Sequence, residues 1–344
     1  MANGELKQVE VIACPLCEST KRHVAHKDIP DFRYAVPGRW TFVRCCECGL
    51  GYLTPRLADP AQGYPASYSQ HNPALYPQIG GKGFWGNVKA IVRHSVLLNY
   101  GYRQVAQGGI LATLFLRLLG KVAIWVPLLK SRALFDFLLF PKAIPEGRLL
   151  DIGCGNGRFL AVMKLLGWDI YGVEPDPASA QVAKHLTGAK IYGSFTEANF
   201  SSNFFDVITM NHVLEHIKEP LPLLNECYRI LRTNGKLGIA VPNWKSMSHR
   251  IFGQYCYHLE PPRHVVMYEP RVLALACLKA GFTVETITTT SIREARTAFK
   301  KSWYYLKGVT SPRILVQMWV LFSLLWSMVD KQSGEEIVLW ATKR

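Results

Sequence analysis

The sequence predicts an α/β fold built around a parallel sheet, and two stretches carry that prediction. In residues 149–159, LLDIGCGNGRF, an apolar run ends at Asp151, glycines follow at alternate positions and a helical pattern resumes. This order predicts a buried strand, a tight turn and the start of a helix, as in the opening unit of a nucleotide-binding fold. Twenty-three residues after Asp151, a second apolar strand over 170–173 ends at Glu174. Acidic residues therefore follow two successive strands.

The glycine spacing narrows the class of ligand. Gly153, Gly155 and Gly157 form G-x-G-x-G, whereas a dinucleotide fingerprint is G-x-G-x-x-G. Glycine is expected because the turn requires positive φ and lets the backbone touch a ligand. The carboxylate of Asp151 would repel a phosphate and suits a cationic or hydroxylated ligand, and Glu174 is placed to accept hydrogen bonds from ribose hydroxyls. For the glycines alone, a turn in some other α/β protein is the alternative.

These residues resemble the class I S-adenosylmethionine-dependent methyltransferases, and the resemblance extends over residues 149–290. It implies a Rossmann-like seven-stranded sheet with helices on both faces, and S-adenosylmethionine as the cofactor. The cofactor contacts that it implies come from the glycine loop, the strand ends and the GSFTE stretch: Asp151, Gly153, Gly155, Gly157, Glu174, Ser194, Phe195 and Asn211.

The remaining core elements follow from periodicity and turn residues. Strands are predicted over 189–192, 203–210, 236–241, 282–288 and 335–342. Helices are predicted over 221–231, with a C-cap turn at Asn234 and Gly235, and over 271–280, closed by Gly281.

Residues 211–216, NHVLEH, allow two interpretations. In the family that the chain resembles, HVLEH follows strand four and faces the transferred methyl group, which makes Asn211 and His212 site candidates. The letters also match H-x-x-E-H, the inverted zincin signature, which needs both histidines on one helical face and a third ligand downstream. The position after a buried strand favours the first interpretation. His216 is either an acceptor-site residue or a structural histidine.

Methyl transfer is an in-line displacement at a sulfonium-bound carbon, so the protein aligns the reactants and, for a hydroxyl acceptor, removes a proton. Histidine suits this role because its ordinary pKa lies near neutrality. We expect His212 or His264 to be the general base, with Glu215 orienting it. The PPRH segment resembles one that lies on the acceptor side in the family, which makes Arg263 an acceptor candidate, and Asn243 is predicted at the rim. A plain turn with an exposed histidine is the alternative for residues 263–264.

Four cysteines predict a structural zinc site. Cys14, Cys17, Cys45 and Cys48 form C-x-x-C pairs separated by 27 residues, which places four thiolates around one ion and leaves no open position. Because Cys46 is adjacent to Cys45, the sequence does not decide which of the two is the ligand that pairs with Cys48. The N-terminus has no apolar signal-peptide region, so the nine cysteines suggest a reducing compartment. Residues 1–60 resemble the zinc ribbon of bacterial methyltransferases of polysaccharide and small-molecule biosynthesis.

Charge is concentrated outside the predicted core. Residues 82–148 carry 10 basic and 2 acidic side chains, and residues 149–228 carry 5 and 9. Residues 84–140 are apolar and basic, with helical apolar patterns that lysines and arginines interrupt. Residues 314–329 carry no charge and would form about 24 Å of helix, shorter than the hydrocarbon layer of a bilayer, which is about 30 Å thick. These helices lie either at an anionic lipid surface or buried in a cap, the core or a dimer.

The sequence thus predicts five segments and one leading function. The segments are a zinc-ribbon module (1–60), a linker with apolar basic helices (61–146), a methyltransferase core (147–290), a helical insertion (291–334) and the last core strand (335–344). The expected activity is O-methylation of a saccharide or lipid-linked saccharide by a cytoplasmic enzyme, peripheral on the inner face of the cell membrane. A zinc-ribbon RNA methyltransferase and a non-catalytic membrane scaffold are the alternatives; the long aliphatic runs argue against RNA.

Overall fold

The computed structural model describes residues 6–65, 83–103 and 110–344. The chain divides into two compact units, each assembled from separate segments. The ribbon unit comprises Met1–Ser69, His212–Tyr228 and Ile239–Arg344, and the loop unit comprises Gln70–Asn211 and Arg229–Gly238. The predicted N-terminal module is therefore part of a larger unit. Part of the predicted linker, residues 66–82, lies outside the described residues.

Five strands lie in the N-terminal region and eight follow residue 147, among the described residues. They are β1 (Gln8–Val9), β2 (Arg22–Ile29), β3 (Trp40–Cys45), β4 (Gly51–Thr54), β5 (Arg56–Leu57), β6 (Arg148–Ile152), β7 (Asp169–Val173), β8 (Lys190–Tyr192), β9 (Phe205–Asn211), β10 (Leu231–Pro242), β11 (Val266–Met267), β12 (Thr283–Thr290) and β13 (Glu336–Thr342).

Helices alternate with strands from β6 to β10, whereas the first three described helices and the last two follow one another directly. The helices are α1 (Gly83–Asn99), α2 (Ile110–Trp125), α3 (Pro127–Ala133), α4 (Arg158–Leu165), α5 (Pro177–Thr187), α6 (Phe195–Ala198), α7 (Pro220–Ile230), α8 (Met247–Phe252), α9 (Pro270–Lys279), α10 (Ala295–Lys307) and α11 (Arg313–Val329).

Seven strands form one mixed sheet in the order β12-β13-β10-β9-β6-β7-β8. β6 pairs in parallel with both β7 and β9, and β7 pairs in parallel with β8. β12 and β13 form an antiparallel pair at the other end of the order. Leu149 and Leu150 of β6 are buried because helices cover a sheet of this kind on both faces. The predicted α/β fold and its seven-stranded Rossmann-like sheet are confirmed.

One predicted boundary is wrong. Helix α7 ends at Ile230 and β10 begins at Leu231, so Asn234 and Gly235 lie within the strand and do not cap the helix. Asn234 still has the positive φ expected of a turn residue, 64°. A Cβ on Gly235 would lie 2.7 Å from the side chain of Leu231, so glycine allows the backbone to bend back over Leu231.

The N-terminal strands share a sheet with a distant segment of the same unit. β2, β3 and β4 form a sheet whose fourth strand is β11, with Val266 opposite Tyr52. The core beneath it combines Trp40 and Phe42 with Trp244 and Met267. A ribbon too short to bury a core alone thereby acquires one from residues 244–267.

Helices α1 to α3 pack together in the loop unit and leave one apolar face uncovered. Helix α2 approaches α1 so closely that a Cβ on Gly120 would lie 2.1 Å from the carbonyl oxygen of Ser95. Nδ2 of Asn99 donates to the carbonyl of Arg117 at 3.0 Å. The α2 stripe, whose side chains are 56 to 87% exposed, consists of Leu111, Leu114, Phe115, Leu118, Val122 and Trp125.

Helix α11 in the ribbon unit is also apolar on two sides. One side packs against α8 and α10 through Val316 and Trp319. The other side, 55 to 78% exposed, carries Ile314, Met318, Leu321, Leu325 and Val329. Among the described helices, no single one is both long and apolar enough to cross a bilayer. The pair Leu111–Trp125 and Pro127–Ala133, bent by 119°, passes that test only when taken together.

Candidate functional site

The loop between β6 and α4 has the geometry that its glycines predict. Gly153, Gly155 and Gly157 have φ of 68°, 52° and 78°, the left-handed region that glycine adopts without steric cost. Gly157 is also a point of close approach, because a Cβ there would lie 2.9 Å from Ala183 of helix α5. The loop therefore presents bare backbone at the carboxyl end of β6.

Glu174 is fixed against this loop at the end of β7. Its Oε2 accepts from the backbone N–H of Gly155 at 2.8 Å, and its Oε1 accepts from the N–H of Asp176 at 3.0 Å. Burial raises the pKa of Glu174, and the two backbone hydrogen bonds act in the opposite direction. Each carboxylate oxygen keeps a further lone pair that can accept a hydroxyl.

Asp151 lies deeper, on β6. Only 6% of the residue is exposed, and its Oδ1 accepts from the hydroxyl of Thr209 on β9 at 2.7 Å. Burial raises the pKa of Asp151 to about 7; the Thr209 hydrogen bond opposes that rise and the charge of Glu174 adds to it. A buried carboxyl of this kind binds a cationic group more strongly than an exposed one, because water does not screen it.

The other predicted cofactor residues lie in the same unit. Ser194 is exposed after β8 and caps helix α6, with its hydroxyl accepting from the N–H of Glu197 at 3.2 Å. Phe195 is half-buried, and its ring lies 6.4 Å from that of Phe200. Asn211 is the exposed last residue of β9. All eight predicted cofactor residues are therefore close to the carboxyl ends of the parallel strands β6 to β9, the edge at which such sheets bind ligands.

The ribbon unit holds a buried cluster of histidines and carboxylates. His212, the residue after β9, has φ of 55°. Its Nδ1 lies 3.1 Å from Oε1 of Glu215, and its Nε2 lies 2.9 Å from Oε1 of Glu336. Both glutamates are fully buried. Burial alone lowers the pKa of His212, but the hydrogen bonds and charges of the two glutamates outweigh it and raise that pKa to about 10. His212 is thus a cation that donates from both ring nitrogens.

His216 and His264 lie next to each other in this cluster. Their ring centroids are 4.8 Å apart. Nδ1 of His264 donates to the carbonyl of His258 at 2.7 Å, which leaves Nε2 with the lone pair. Nδ1 of His216 lies 2.9 Å from the hydroxyl of Tyr64 and 3.1 Å from the carbonyl of Arg263. Burial lowers the pKa of His264 well below its ordinary value, so this ring is neutral.

Two predicted acceptor residues bind the protein itself. Nδ2 of Asn243 donates to two backbone carbonyls at 2.7 Å, and its Oδ1 accepts from the N–H of Lys245 at 2.9 Å. The guanidinium of Arg263, which is 2% exposed, donates to both oxygens of Asp31 at 2.7 and 2.9 Å and to Glu260 at 3.0 Å. These contacts give Asn243 and Arg263 a structural role, holding loops of the ribbon unit in place.

Three residues that contact the candidate site residues were not predicted from the sequence: Glu336, Tyr64 and Asp31. Glu336 was predicted only as part of the last strand, although two adjacent acidic residues at the start of an otherwise apolar strand were a usable signal. Tyr64 and Asp31 carry no such signal, because each meets its partner through folding over more than 150 residues of sequence. Long-range pairs of this kind are set by tertiary structure.

The four predicted zinc ligands converge in the ribbon unit. The sulfurs of Cys14 and Cys48 lie 3.5 Å apart, as do those of Cys17 and Cys45, and all four lie within 4.8 Å of one another. A tetrahedral zinc–thiolate site with bonds of about 2.3 Å separates its sulfurs by about 3.8 Å. Cys46 is exposed and lies outside the group, with its sulfur 3.7 Å from Nδ1 of His23. The donor set and its spacing therefore fit a zinc ion.

Comparison with known families agrees with the sheet and the glycine loop. Residues 129–287, a little under half of the chain, match the family model described as "Methyltransferase domain". This segment is a methyltransferase domain. The predicted resemblance is confirmed at that level, and the match includes Asp151, Glu174 and the histidine cluster from His212 to His264.

Individual relatives match the domain only in part. An uncharacterized methyltransferase of Mycobacterium sp. (strain KMS) is 35% identical over 106 residues, which are 30% of this chain and 42% of the relative. A ubiquinone biosynthesis O-methyltransferase of Xanthomonas campestris pv. campestris (strain B100) is 26% identical over 115 residues, 31% of this chain and 48% of the relative. The chain thus spans less than half the length of these two curated relatives.

Among solved structures, one similar chain is an S-adenosylmethionine-dependent methyltransferase from Archaeoglobus fulgidus. It has a TM-score of 0.43 and 20% sequence identity, and the match covers 64% of this chain and 94% of that one.

Proposed function

We propose that the protein transfers a methyl group from S-adenosylmethionine to a hydroxyl acceptor. The observation that carries the proposal is the pairing of Glu174 with the glycine loop through Gly155, beside the buried carboxyl of Asp151. Bare backbone and two carboxylates suit a nucleoside that bears hydroxyls and positive charge, and they repel a polyphosphate. Oxygen as the methylated atom is supported by the name of the ubiquinone-biosynthesis relative.

The cofactor supplies an activated methyl group, and the residues of the chain bind and orient it. Glu174 would hold the ribose hydroxyls with its remaining lone pairs, and the carboxylate of Asp151 would stabilise the positive charge. The glycines keep side chains out of the space that the nucleoside needs. Because displacement at a methyl carbon requires a linear approach of the acceptor oxygen, rigid placement of the cofactor contributes directly to the rate.

The acceptor's proton requires a second group. His212 is a poor general base, since both of its ring nitrogens already donate to carboxylates. His264 is neutral, and because its Nδ1 donates to the carbonyl of His258, its Nε2 carries the lone pair; it lies beside Glu215 and His216. We therefore assign acceptance of the proton to the cluster formed by Glu215, His216 and His264, with His212 as the positioning residue that holds Glu215.

The decisive experiment is calorimetry of the purified, metal-replete protein with S-adenosylmethionine and with S-adenosylhomocysteine. We expect both to bind, and Glu174→Gln to weaken binding about 10- to 100-fold, since a hydrogen bond to a charged group contributes about 1.5–3 kcal/mol. Glu219→Gln, a change at an exposed glutamate in the ribbon unit, is the control and leaves affinity unchanged. If the wild-type protein had no affinity for either compound, the proposal that it methylates a hydroxyl acceptor would be wrong.

We also propose that the acceptor is a lipid-linked saccharide, methylated by an enzyme that lies on an anionic membrane surface. The α2 stripe exposes six large apolar side chains on one helical face. Residues 82–135 contain eight basic and no acidic side chains. Apolar side chains flanked by cations bind the interface of an anionic bilayer, because the cations reach the headgroups while the apolar face enters the acyl boundary.

Vesicle flotation tests the membrane part of the proposal. We expect the protein to bind vesicles containing phosphatidylglycerol more strongly than neutral phosphatidylcholine vesicles, and Leu114→Glu to reduce that binding. Leu278→Glu, in helix α9, is a matched control because both leucines are 56% exposed. Equal losses in the two variants, or wild-type retention by RNA and not by vesicles, would count against the lipid surface and in favour of the alternatives.

The four-cysteine group is proposed as a structural zinc site. Its four thiolates complete a tetrahedral shell, so the ion stabilises the N-terminal strands and takes no part in methyl transfer.

A further inference from the structure

We propose that Glu215, His216 and His264 bind a divalent transition-metal cation, separate from the four-cysteine site. The inference deepens the proposed function, on which its catalytic part rests: with the ion bound, the three side chains act as ligands, and the ion promotes loss of the acceptor's proton in place of a side-chain base. The three side chains each offer one ligand atom, and these atoms lie within 4.8 Å of one another. All three belong to the ribbon unit.

Glu215 supplies the first argument. It is fully buried, and its Oε1 lies 3.1 Å from Nδ1 of His212. Its Oε2 is also buried and has no hydrogen-bond partner among the described residues. A buried carboxylate oxygen without a partner is costly, because it has lost its water and gained nothing in return. A cation at this position supplies the missing partner.

The two histidines are held as metal-binding histidines usually are. Nδ1 of His264 donates to the carbonyl of His258, and Nδ1 of His216 is engaged by Tyr64 and the carbonyl of Arg263. A hydrogen bond at Nδ1 fixes the tautomer and the ring orientation, and it leaves Nε2 with a lone pair for the ion. The protein therefore already provides the outer contacts that such ligands require.

The donor set indicates the class of metal. Two imidazole nitrogens and one carboxylate oxygen suit zinc, manganese, iron(II) or cobalt(II) better than magnesium or calcium, which prefer oxygen ligands. Three protein ligands leave coordination positions open, as in catalytic sites and unlike the closed four-cysteine group.

An open position gives the site a function in the proposed reaction. An acceptor hydroxyl bound to the cation is more acidic than a free one, as metal-bound water is. In the proposed reaction, the proton would leave to water, the acceptor oxygen would form a bond to the methyl carbon, and the carbon–sulfur bond would break with its electron pair remaining on the sulfur. S-Adenosylhomocysteine and the methyl ether are the products. The acceptor class is then an alcohol that can ligate a metal through its oxygen.

The proposed site uses the motif H-x-x-E-H differently from an inverted zincin. Its glutamate and second histidine are two of the proposed ligands, and His264 supplies the third ligand downstream. The first histidine, His212, is not a ligand, because its two nitrogens contact Glu215 and Glu336. Within the motif, Glu215 and His216 are therefore ligands, and His212 is a positioning residue.

Metal content of the full-length protein tests the site. After chelation, the protein is titrated with cobalt(II) and measured by elemental analysis and absorption. We expect two equivalents per chain, one with the intense charge-transfer absorption of thiolate ligands and one without it. A single equivalent with thiolate absorption alone overturns the inference, and this result needs no variant.

Substitutions then locate the second equivalent. Glu215→Gln and His216→Asn are each expected to reduce the cobalt stoichiometry to one and to leave the thiolate absorption intact. His216 is half-buried whereas Glu215 is fully buried, so His216→Asn disturbs the fold less and carries the test if Glu215→Gln is unstable. His185→Asn, at an exposed histidine of helix α5, is the control and retains both equivalents. Two equivalents in His216→Asn would contradict the assignment.

The outcome is distinguishable from failure of the proposed function. Cofactor affinity is measured on the same protein by calorimetry and depends on Asp151 and Glu174, which are not ligands of the metal. Cofactor binding with one metal equivalent removes the metal site and leaves His264 as the base. Two equivalents without cofactor binding keep the metal site and remove the methyltransferase proposal.

Discussion

Nε2 of His212 lies 2.9 Å from Oε1 of Glu336, so the residue that follows β9 contacts the first residue of the last strand, 124 positions later in the chain. Glu336 is fully buried. Together with Glu215, the pair places the imidazolium of His212, whose side chain is 29% exposed, between two fully buried carboxylates. Buried ionic groups of this kind are strongly destabilising when one partner is removed, because the remaining charge has no solvent.

Replacing His212 with glutamine is therefore expected to lower the free energy of unfolding by about 3–5 kcal/mol, measured by urea denaturation. Glu336→Gln keeps an acceptor for the histidine and costs less. In the double variant, the two losses are not additive, since the residues contact each other. His185→Gln, at an exposed position, changes stability little. Additive losses would show that the pair does not act as a unit.

Asp151 is expected to couple cofactor binding to pH. Burial raises its pKa to about 7, so the carboxyl is protonated below that pH and ionised above it. Only the ionised form attracts a cationic ligand, so the affinity for S-adenosylmethionine rises as the pH is raised from 6 to 8. Calorimetry at several pH values measures this change. The affinity of Asp151→Asn is weaker and lacks that increase; a similar increase in the variant would assign the pH dependence to another group.

The same carboxyl is expected to destabilise the cofactor-free protein. A pKa raised from 3.8 to about 7 on folding means that Asp151 favours the folded state at low pH and that this contribution is lost as the pH rises through about 7. Asp151→Asn should therefore raise the melting temperature of the cofactor-free protein at pH 8 and change it less at pH 5. Thermal unfolding at the two pH values checks the prediction. A lower melting temperature at pH 8 would contradict it.

Arg263 is expected to be required for stability. Its planar guanidinium donates to both oxygens of Asp31 and to Glu260, an arrangement that lysine cannot reproduce. We expect Arg263→Lys to lower the free energy of unfolding by several kcal/mol in urea, at the lower end of the range for breaking a buried ion pair, about 3–5 kcal/mol. Arg296→Lys, on an exposed site of α10, is the control and has little effect. Normal stability with weaker acceptor binding would restore the acceptor role predicted from the sequence.

The four-cysteine group is expected to lose its ion when one ligand is changed. Cys45→Ser should remove one zinc equivalent and destabilise the ribbon strands, whereas Cys46→Ser should retain the zinc because Cys46 is exposed and outside the group. Elemental analysis and far-ultraviolet circular dichroism measure the two effects. Loss of zinc from Cys46→Ser would mean that the neighbouring cysteine is the ligand.

The sequence by itself determined the elements whose cause is local. Alternation of apolar runs and helical patterns was sufficient for β6 to β9, and the requirement for positive φ was sufficient for Gly153, Gly155 and Gly157. The two C-x-x-C pairs likewise brought four thiolates together. In each case a few consecutive residues contain the physical constraint, either a period, a turn or a ligand spacing.

Tertiary structure alone decided which polar side chains meet. His212 and His264 are equally plausible bases in the sequence, yet His212 has carboxylates at both nitrogens, whereas His264 donates from Nδ1 and carries its lone pair at Nε2. Arg263 resembles an acceptor ligand in the sequence and pairs with Asp31 instead. Glu336 and Asp31 are each more than 100 residues from their partners His212 and Arg263, and the chain carries no local signal for a contact that only the packing of distant elements creates.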